Sequence, residues 1–440
     1  MILRRSLDWW LAVLGATIPL FYIPNGVMHL YLGRLVYARE LLLLMHLGAT
    51  LHCLHRAGHL PILRRSILPL FIFGAFLLPL TTDSTTQRDF LVICKWVLLW
   101  TDAILTGYLV FLQRRFVKTV AAIGTVALSL FALDGVIGLY ELRTNSFVFA
   151  VQKEEETEAG VQVARSQQLA GVVRVQGMQR DVFSFANFMG VAFVTCLTVL
   201  ARQRRWWLRA GAAIGVLGFC YVGFYSGGRS ALLGMALALA LFGIQMLSPP
   251  FLVRHGRKIM ASAVVFGGVI CFIGLAELLQ SVIALVSDDS RVFNLASTYD
   301  RDAVWTERLD LMRTLPLSFA LGMPTAKWMV GDALPVQFTD NQVLWIVFHT
   351  GVGGLALMLT YFYRLARPQT CEQHPTAYPA LMFYMALLFG EGIARDTLFM
   401  FSAVPVFLLN GYFSAADAYA QADSETLEGE EEEYAELTVR

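Results

Sequence analysis

The sequence predicts an all-α polytopic membrane protein with about twelve transmembrane helices and cytoplasmic N- and C-termini. Of its 440 residues, 57% are hydrophobic and only 15% are charged, whereas about a quarter of the residues of a soluble domain are charged. The apolar runs are roughly 18–25 residues long, which is the length that a helix needs to cross a bilayer. These two observations exclude a soluble enzyme.

The apolar runs predict twelve spans, and the arginines between them predict their orientation. The spans are expected at residues 9–31, 36–54, 66–81, 90–112, 118–140, 184–201, 206–225, 229–247, 259–286, 341–363, 376–394 and 397–417. Each short loop that this order assigns to the inside is basic, for example around Arg64 and Arg204, whereas two short outside loops hold a single arginine each, Arg34 and Arg88. Because cytoplasmic loops are enriched in Lys and Arg, both termini are predicted to lie inside.

The spans divide the chain into six regions. Residues 1–140 hold the first five helices, 141–183 form a long outside loop, 184–286 hold helices six to nine, 287–340 form a second long outside loop, 341–417 hold the last three helices, and 418–440 form an acidic tail. Four consecutive glutamates, 430–433, predict that this tail is solvated and disordered. The two long loops are where a membrane enzyme would keep its polar chemistry.

The turn Tyr225-Ser226-Gly227-Gly228-Arg229-Ser230 joins two spans on the predicted outer face. Its glycines allow a sharp reversal, and Ser230 is expected to cap the following helix. An arginine beside the free N–H groups of a helix start makes an anion site, and its planar fork suits phosphate. The alternative is an interfacial arginine that reaches toward water at the end of a span.

The second long loop carries a predicted helix over residues 298–315. Arg301, Trp305, Arg308 and Met312 follow helical spacing and therefore share one stripe. This stripe favours contact with anionic lipid, either as a substrate site or as an amphipathic helix that rests on head groups. Glu307, on the same helix, is a second candidate for a general base.

Two further segments end on the same face. Asp340 and Asn341 directly precede the tenth span, where an aspartate acts either as a simple helix cap or as a base. Arg174 and Arg180 lie ahead of the sixth span, which opens with Asn187-Phe188.

In their order along the chain, these four segments resemble the O-antigen ligase and Wzy-type O-antigen polymerase superfamily of GT-C-like membrane glycosyltransferases. The resemblance covers roughly residues 170–365. It implies transfer of a glycan from undecaprenyl diphosphate to an acceptor hydroxyl at the periplasmic face of the bacterial inner membrane, without metal or cofactor. Ligases of this family carry a histidine where this chain has Asp340, and His349 lies about two turns further on; this departure favours a polymerase.

The resemblance also implies roles for individual residues. Arg229 and Arg301 would hold the lipid diphosphate. Arg308 and Arg180 would hold the diphosphate of an acceptor glycolipid, and Arg174 is a further candidate for diphosphate binding. Asp340, with Glu307 in reserve, would accept the proton of the acceptor hydroxyl, supported by Asn341, Trp305 and Ser230. The expected partners are the lipid-linked glycan, the acceptor, membrane lipids and a chain-length regulator; nucleic acid is not expected.

Several charged residues lie inside predicted spans, where they are expensive. They are Arg39 and Glu40, Lys95 and Asp102, Asp134, Glu277, and the pair Glu391 and Arg395. Lys95 and Asp102 are seven residues apart and share a helix face, and Glu391 with Arg395 predicts a local ion pair. Pairing between spans is one interpretation, and a polar path for protons or ions is the other.

Three functions therefore remain open at the level of sequence. The first is a polysaccharide polymerase, and the second is a ligase that passes the same glycan to lipid A–core or to protein. The third is a transporter or lipid flippase, for which internal repeats and helices broken near the membrane midplane are typical.

Overall fold

The computed structural model describes most of the helical part of the chain. It describes residues 2–22, 24, 27–28, 31, 38–56, 58, 60–75, 84–112, 116–149, 168–169, 172–173, 175–179, 182–226, 228–248, 251–252, 254–256, 258–259, 262, 310–315, 317–324, 342–366, 368–374, 377–392 and 401–439. For Arg229 and several helix ends it describes the backbone alone.

Helices dominate the described residues. They are α1 (Ile2–Thr17, followed by the 3-10 turn Ile18–Tyr22), α2 (Ala38–Arg56), α3 (Leu60–Ala75), α4 (Ser84–Leu112), α5 (Phe116–Thr144), α6 (Val182–Arg202), α7 (Trp206–Tyr225), α8 (Arg229–Leu247), α9 (Ser318–Leu321), α10 (Gln342–Leu365), α11 (Ala377–Gly392) and α12 (Ala403–Val439). Two short antiparallel strands, β1 (Gln168–Leu169) and β2 (Val172–Val173), pair Gln168 with Val173.

Within the described ranges, six helices are long and apolar enough to cross a membrane. These are Cys94–Leu112, Gly124–Thr144, Val182–Arg202, Trp206–Tyr225, Ser230–Leu247 and Trp345–Leu365, and two shorter apolar helices cover Trp9–Tyr22 and Ser66–Ala75. The chain is therefore a helical membrane protein, as predicted. The count of twelve spans and their orientation stay predictions, and the expected span 259–286 lies almost wholly outside the described residues.

The tightest helix contact joins α4 and α12 through small residues. A methyl group at Gly107 would overlap the carbonyl oxygen of Leu408, and one at Gly411 would overlap that of Ile104. Trp100 stacks on Phe407 beside this crossing, with ring centroids 5.0 Å apart. Glycines let helices approach closely in a bilayer, where packing rather than burial from water drives their association.

Helices α8 and α11 are antiparallel neighbours. Gly234 faces Leu387 and Gly390 near the start of α8, whereas Phe242 faces Phe383 toward its end, with ring centroids 6.1 Å apart. The start of α8 therefore lies beside the end of α11. The start of α6 and the end of α7 lie at this same end of the bundle, whereas Arg202, Arg204, Arg205 and Arg209 lie at the opposite end of α6 and α7.

Helix α10 is broken at Gly351, which has a left-handed φ of 66°. A methyl group at Gly351 would overlap the carbonyl oxygen of Ala320, and one at Gly322 would overlap that of His349. Residues 318–324, which the sequence predicts in an outside loop, thus pack against the interior of a predicted span. Met312, Met323, Val347 and Phe348 form a small apolar cluster there, so Met312 faces protein.

The acidic tail is helical in the structure, which contradicts the predicted disorder. Helix α12 continues without interruption from Ala403 to Val439. The reason lies in composition, because alanine, glutamate and leucine all have high helix propensity and the packed first half of α12 supplies the nucleus.

Candidate functional site

The first turns of α6 are the meeting point of three segments that are distant in sequence. The end of α7 with the start of α8 reaches this point from one side, the turn 175–179 from another, and the end of α11 with Ser402 from a third. The contacts of each segment are described in turn.

The turn between α7 and α8 is held by its own serine. Ser226 Oγ donates to the carbonyl oxygen of Gly223 at 2.6 Å, and Gly228 N donates to Ser226 Oγ at 3.2 Å. Gly228 has an ordinary φ of −79°, so backbone freedom is not the reason for this glycine. A methyl group at Gly228 would overlap the side chain of Ala186, and the glycine therefore lets the start of α8 touch the first turn of α6.

The predicted capping role of Ser230 is wrong. Helix α8 begins at Arg229, Gly228 occupies the N-cap position, and no side chain caps the helix there. Because the helix begins two residues earlier than a cap at Ser230 requires, Ser230 falls within its first turn and is buried. Arg229 is thus the first helical residue, where backbone N–H groups have no partner inside the helix.

The turn 175–179 is anchored to α5 by two buried carboxylates. Glu141 Oε2 accepts from Gln176 N at 2.9 Å and from Gly177 N at 2.8 Å. Asp134 accepts from Met178 N at 2.6 Å and from Gln179 Nε2 at 3.0 Å. Both acids are therefore satisfied by donors of the segment that follows α5. Asp134 thus pairs with amides of a turn in the predicted loop 141–183, and not with a group in another span.

Gly177 explains why this turn needs a glycine. Its φ is +57°, and a methyl group there would overlap Asp134 Oδ1 and lie 2.7 Å from the ring of Phe185. The turn thus rests on the start of α6, next to the residue that contacts Gly228. In sequence the turn is flanked by Arg174 and Arg180, both of which lie outside the described residues.

Asn187, on the second turn of α6, ties α6 to the end of α11. Its Nδ2 donates to Glu391 Oε2 at 2.6 Å and to Ser402 Oγ at 2.9 Å, and its Oδ1 accepts from Ser402 N at 3.0 Å. Glu391 is only 2% exposed. The predicted partner Arg395 lies outside the described residues, so that ion pair stays a prediction; the bond that the structure describes joins Glu391 to another helix.

Two glycines make room for the Glu391 side chain. A methyl group at Gly190 would lie 3.1 Å from Glu391 Oε1, and one at Gly234 would lie 3.1 Å from its Cγ. Ser230 is four residues before Gly234 and shares its helix face. Ser230 thus lies one turn nearer the start of α8 than Gly234, the residue that Glu391 packs against.

Most predicted site residues lie outside the described part of the chain: Arg174, Arg180, Arg301, Trp305, Glu307, Arg308, Asp340 and Asn341. The structure describes the backbone of Arg229 and all of Ser230, and it brings both to the start of α6. Of the predicted outer helix 298–315, residues 310–314 are helical, and Arg313 pairs there with Asp310 at 2.8 Å. His349 is fully buried and stacks on Trp345, with ring centroids 4.3 Å apart.

Sequence reasoning missed Glu391 as a member of this cluster. The signal was present, since Glu391 stands between two glycines in an otherwise apolar run, and an acid within a span marks a functional candidate by default. Among the described residues, no group of three or more His, Cys, Asp or Glu side chains forms a metal site.

Comparison with protein family models, characterised proteins and solved structures finds no match. The chemistry of the site therefore rests on the chain itself. The described cluster offers a buried acid, an amide and two hydroxyls beside the first turn of α8. The turn 175–179 lies beside the same helix start, so this turn, the first turn of α8 and the Glu391 carboxyl share one end of the bundle.

Proposed function

We propose that the chain is a membrane glycosyltransferase that acts at the end of the bundle where α6 and α8 begin. It transfers a glycan from a lipid-linked diphosphate to an acceptor hydroxyl. We propose a polymerase that joins undecaprenyl diphosphate-linked repeats at the periplasmic face, and the alternative within the same chemistry is a ligase that transfers the glycan to lipid A–core or protein.

One juxtaposition supports this proposal. Gly228 packs on Ala186 and Gly177 packs on Phe185, two neighbouring residues of α6. The first residue of α8 is Arg229, and the turn at Gly177 has Arg174 and Arg180 as flanking residues in the sequence. Two arginine-bearing segments therefore converge on one helix start, which is what binding of a diphosphate requires.

The reaction needs positive charge beside the leaving diphosphate and a base beside the acceptor hydroxyl. The bond between the anomeric carbon and the diphosphate oxygen breaks, and the diphosphate leaves with the electron pair. The acceptor oxygen forms the new bond to the same carbon, and its proton passes to a carboxylate, for which Asp340 is the first candidate and Glu307 the second. Arginines around the leaving group would stabilise the negative charge that develops there.

The choice of polymerase rests on position 340. Ligases of the family that the chain resembles carry a histidine before the asparagine, and this chain has Asp340 before Asn341. Arg308 and Arg180 would then hold the diphosphate of a second lipid-linked glycan, which serves as the acceptor in chain growth.

The test uses purified protein in nanodiscs with an undecaprenyl diphosphate oligosaccharide, and the products are separated on a gel. A ladder without added core lipid supports the polymerase, and product only with core lipid supports the ligase. Arg229→Ala should lower the rate by about 100-fold or more, since one lost transition-state donor has that effect. Arg209→Ala, an exposed arginine at the opposite end of the bundle, is the matched control. Full activity of Arg229→Ala would contradict the diphosphate site.

One observation favours transport as a second candidate. Helix α10 is broken at Gly351 inside an apolar stretch, and such breaks are typical of transporters. If no glycan product forms and a labelled lipid-linked oligosaccharide crosses protein-containing liposomes, the enzyme proposal fails and transport replaces it.

A further inference from the structure

A buried histidine and a buried aspartate form a close pair between α2 and α4. His46 Nδ1 lies 2.5 Å from Asp102 Oδ1, and both side chains are fully buried. On its other side His46 Nε2 lies 2.8 Å from the carbonyl oxygen of Leu11 in α1. The pair thus confirms pairing between spans for Asp102, although its partner is His46 and not Lys95.

The contacts assign the protons of the pair. A carbonyl oxygen only accepts hydrogen bonds, so Nε2 carries a hydrogen that it donates to Leu11. The short contact between Nδ1 and Oδ1 needs a second proton, because two lone pairs at that distance repel. The pair therefore holds both protons and has no net charge, which is the least costly state for it inside a membrane.

One more proton has a place to bind. Asp102 Oδ2 and Thr106 Oγ1 are buried and have no hydrogen-bond partner among the described residues. Thr106 lies one helical turn beyond Asp102 on the same face. A methyl group at Gly15 would overlap Thr106 Oγ1 and lie 2.5 Å from His46 Cε1, so the hydroxyl and the imidazole flank the same point of α1.

A second polar cluster lies two turns away along both helices. Arg39 and Glu40 of α2 form an ion pair at 3.0 Å, and the guanidinium of Arg39 lies 4.3 Å from the ring centre of Tyr22. Lys95 Nζ of α4 lies 5.5 Å from the same ring centre. Arg39 precedes His46 by seven residues, and Lys95 precedes Asp102 by seven, so each helix presents both polar levels on one face.

Tyr22 lies at the second level, where Arg39 and Lys95 flank its ring. The hydroxyl oxygen of Tyr22 and Glu40 Oε2 are buried and have no hydrogen-bond partner among the described residues. The side chain of Glu40 is 24% exposed, whereas those of His46 and Asp102 are not exposed at all. The ionisable groups around the pair are thus Tyr22 from the 3-10 turn, Arg39 and Glu40 from α2 and Lys95 from α4, and α1 contributes the Leu11 carbonyl.

We propose that His46 and Asp102 form a proton-binding site in the membrane interior. A proton that enters the site binds Asp102 Oδ2, the carboxyl oxygen without a hydrogen-bond partner among the described residues. The pair then changes from zero net charge to one positive charge, and release of the same proton discharges it. The proposal does not depend on the glycosyltransferase activity.

The test labels the histidines with ¹⁵N and follows the protein in lipid nanodiscs by NMR from about pH 4 to about pH 9. Of the eight histidines, His46 is identified by the resonances that His46→Gln removes. The expected result is a titration step of the His46 resonances that Asp102→Asn abolishes. The resonances of the exposed residue His52, on the same helix, serve as the internal control.

His46 resonances that do not change with pH would reduce the pair to a structural contact and overturn the proposal. A titration step of unchanged position in Asp102→Asn would likewise show that Asp102 takes no part in proton binding.

Discussion

Asn187 and Glu391 are separated by 204 residues and joined by a hydrogen bond of 2.6 Å from Asn187 Nδ2 to Glu391 Oε2. Since Asn187 Oδ1 accepts from Ser402 N at 3.0 Å, the amide has only one productive orientation. This bond closes the contact between the start of α6 and the end of α11, and it holds a carboxylate beside the proposed substrate site.

Replacing Asn187 by aspartate should destabilise the protein. The new carboxylate would lose the donor to Glu391 and oppose a buried acid, and loss of a hydrogen bond to a charged group costs about 1.5–3 kcal/mol. Thermal unfolding in detergent should show a lower midpoint for Asn187→Asp. Thr198→Val, which removes a hydroxyl bonded only to a carbonyl of its own helix, is the control; an unchanged midpoint in Asn187→Asp would contradict the tie.

The contact between Gly228 and Ala186 predicts the effects of one single variant and one compensating double variant. Gly228→Ala should reduce stability and glycan transfer, because an extra methyl in a packed contact costs about 1–3 kcal/mol. The backbone of Gly228 has an ordinary φ, so the penalty comes mainly from the overlap with Ala186, with a smaller part from Ser226 Oγ at 3.3 Å. Adding Ala186→Gly should therefore restore both properties in the double variant. If the second change makes the loss deeper, the close approach of α8 to α6 is not its cause.

Gly351 should tolerate no side chain. Its φ of 66° and ψ of −172° lie in a region that only glycine adopts readily, and strain of this kind costs about 1–3 kcal/mol. We expect Gly351→Ala to lower the unfolding midpoint clearly, with a further penalty from the carbonyl of Ala320. Gly243→Ala, in a helix with open space around its Cα, should be neutral or stabilising. Equal midpoints for the two variants would argue against the break in α10.

Glu141 should control the order of the turn 175–179. Glu141→Ala removes the acceptor of three backbone N–H groups, those of Val148, Gln176 and Gly177. Hydrogen exchange of Gln176 and Gly177 should accelerate by at least about tenfold, because each lost bond to a charged group is worth about 1.5–3 kcal/mol. Asp310→Ala breaks only an exposed ion pair and should leave the turn unchanged. Protection that persists in Glu141→Ala would show that other contacts hold the turn.

His374 predicts a pH dependence of stability at the opposite end of the bundle. Burial lowers the pKa of His374 below its ordinary value of 6.5, and Asp417 partly opposes this shift. The unfolded chain therefore takes up the proton first, so this contribution is complete above about pH 6.5 and is lost as the pH falls through the lower folded pKa. His374→Gln should flatten the decrease in unfolding midpoint over that window, and His52→Gln should not. A parallel decrease in wild type and His374→Gln would contradict this role.

Local sequence patterns predicted many of the helices but not the contacts between them. The start of α8 near Arg229 followed from its glycine turn, and the predicted span 206–225 coincides with α7. The cap at Ser230 was wrong by two residues, since a serine and a glycine can both stand at a helix start and only the contact with Ala186 selects Gly228. The predicted disorder of the acidic tail was wrong because charge density alone does not outweigh helix propensity in a segment that continues a packed helix.

The composition and apolar run lengths by themselves determined that this is a helical membrane protein, because a bilayer satisfies no backbone hydrogen bonds and so demands helices of a given length. Only the tertiary structure decided which buried polar groups meet. Asp102 lies against His46, Asp134 against Met178, and Glu391 against Asn187. Each of these bonds joins positions at least 44 residues apart; their pairing depends on which helices pack together, a property that local periodicity does not contain.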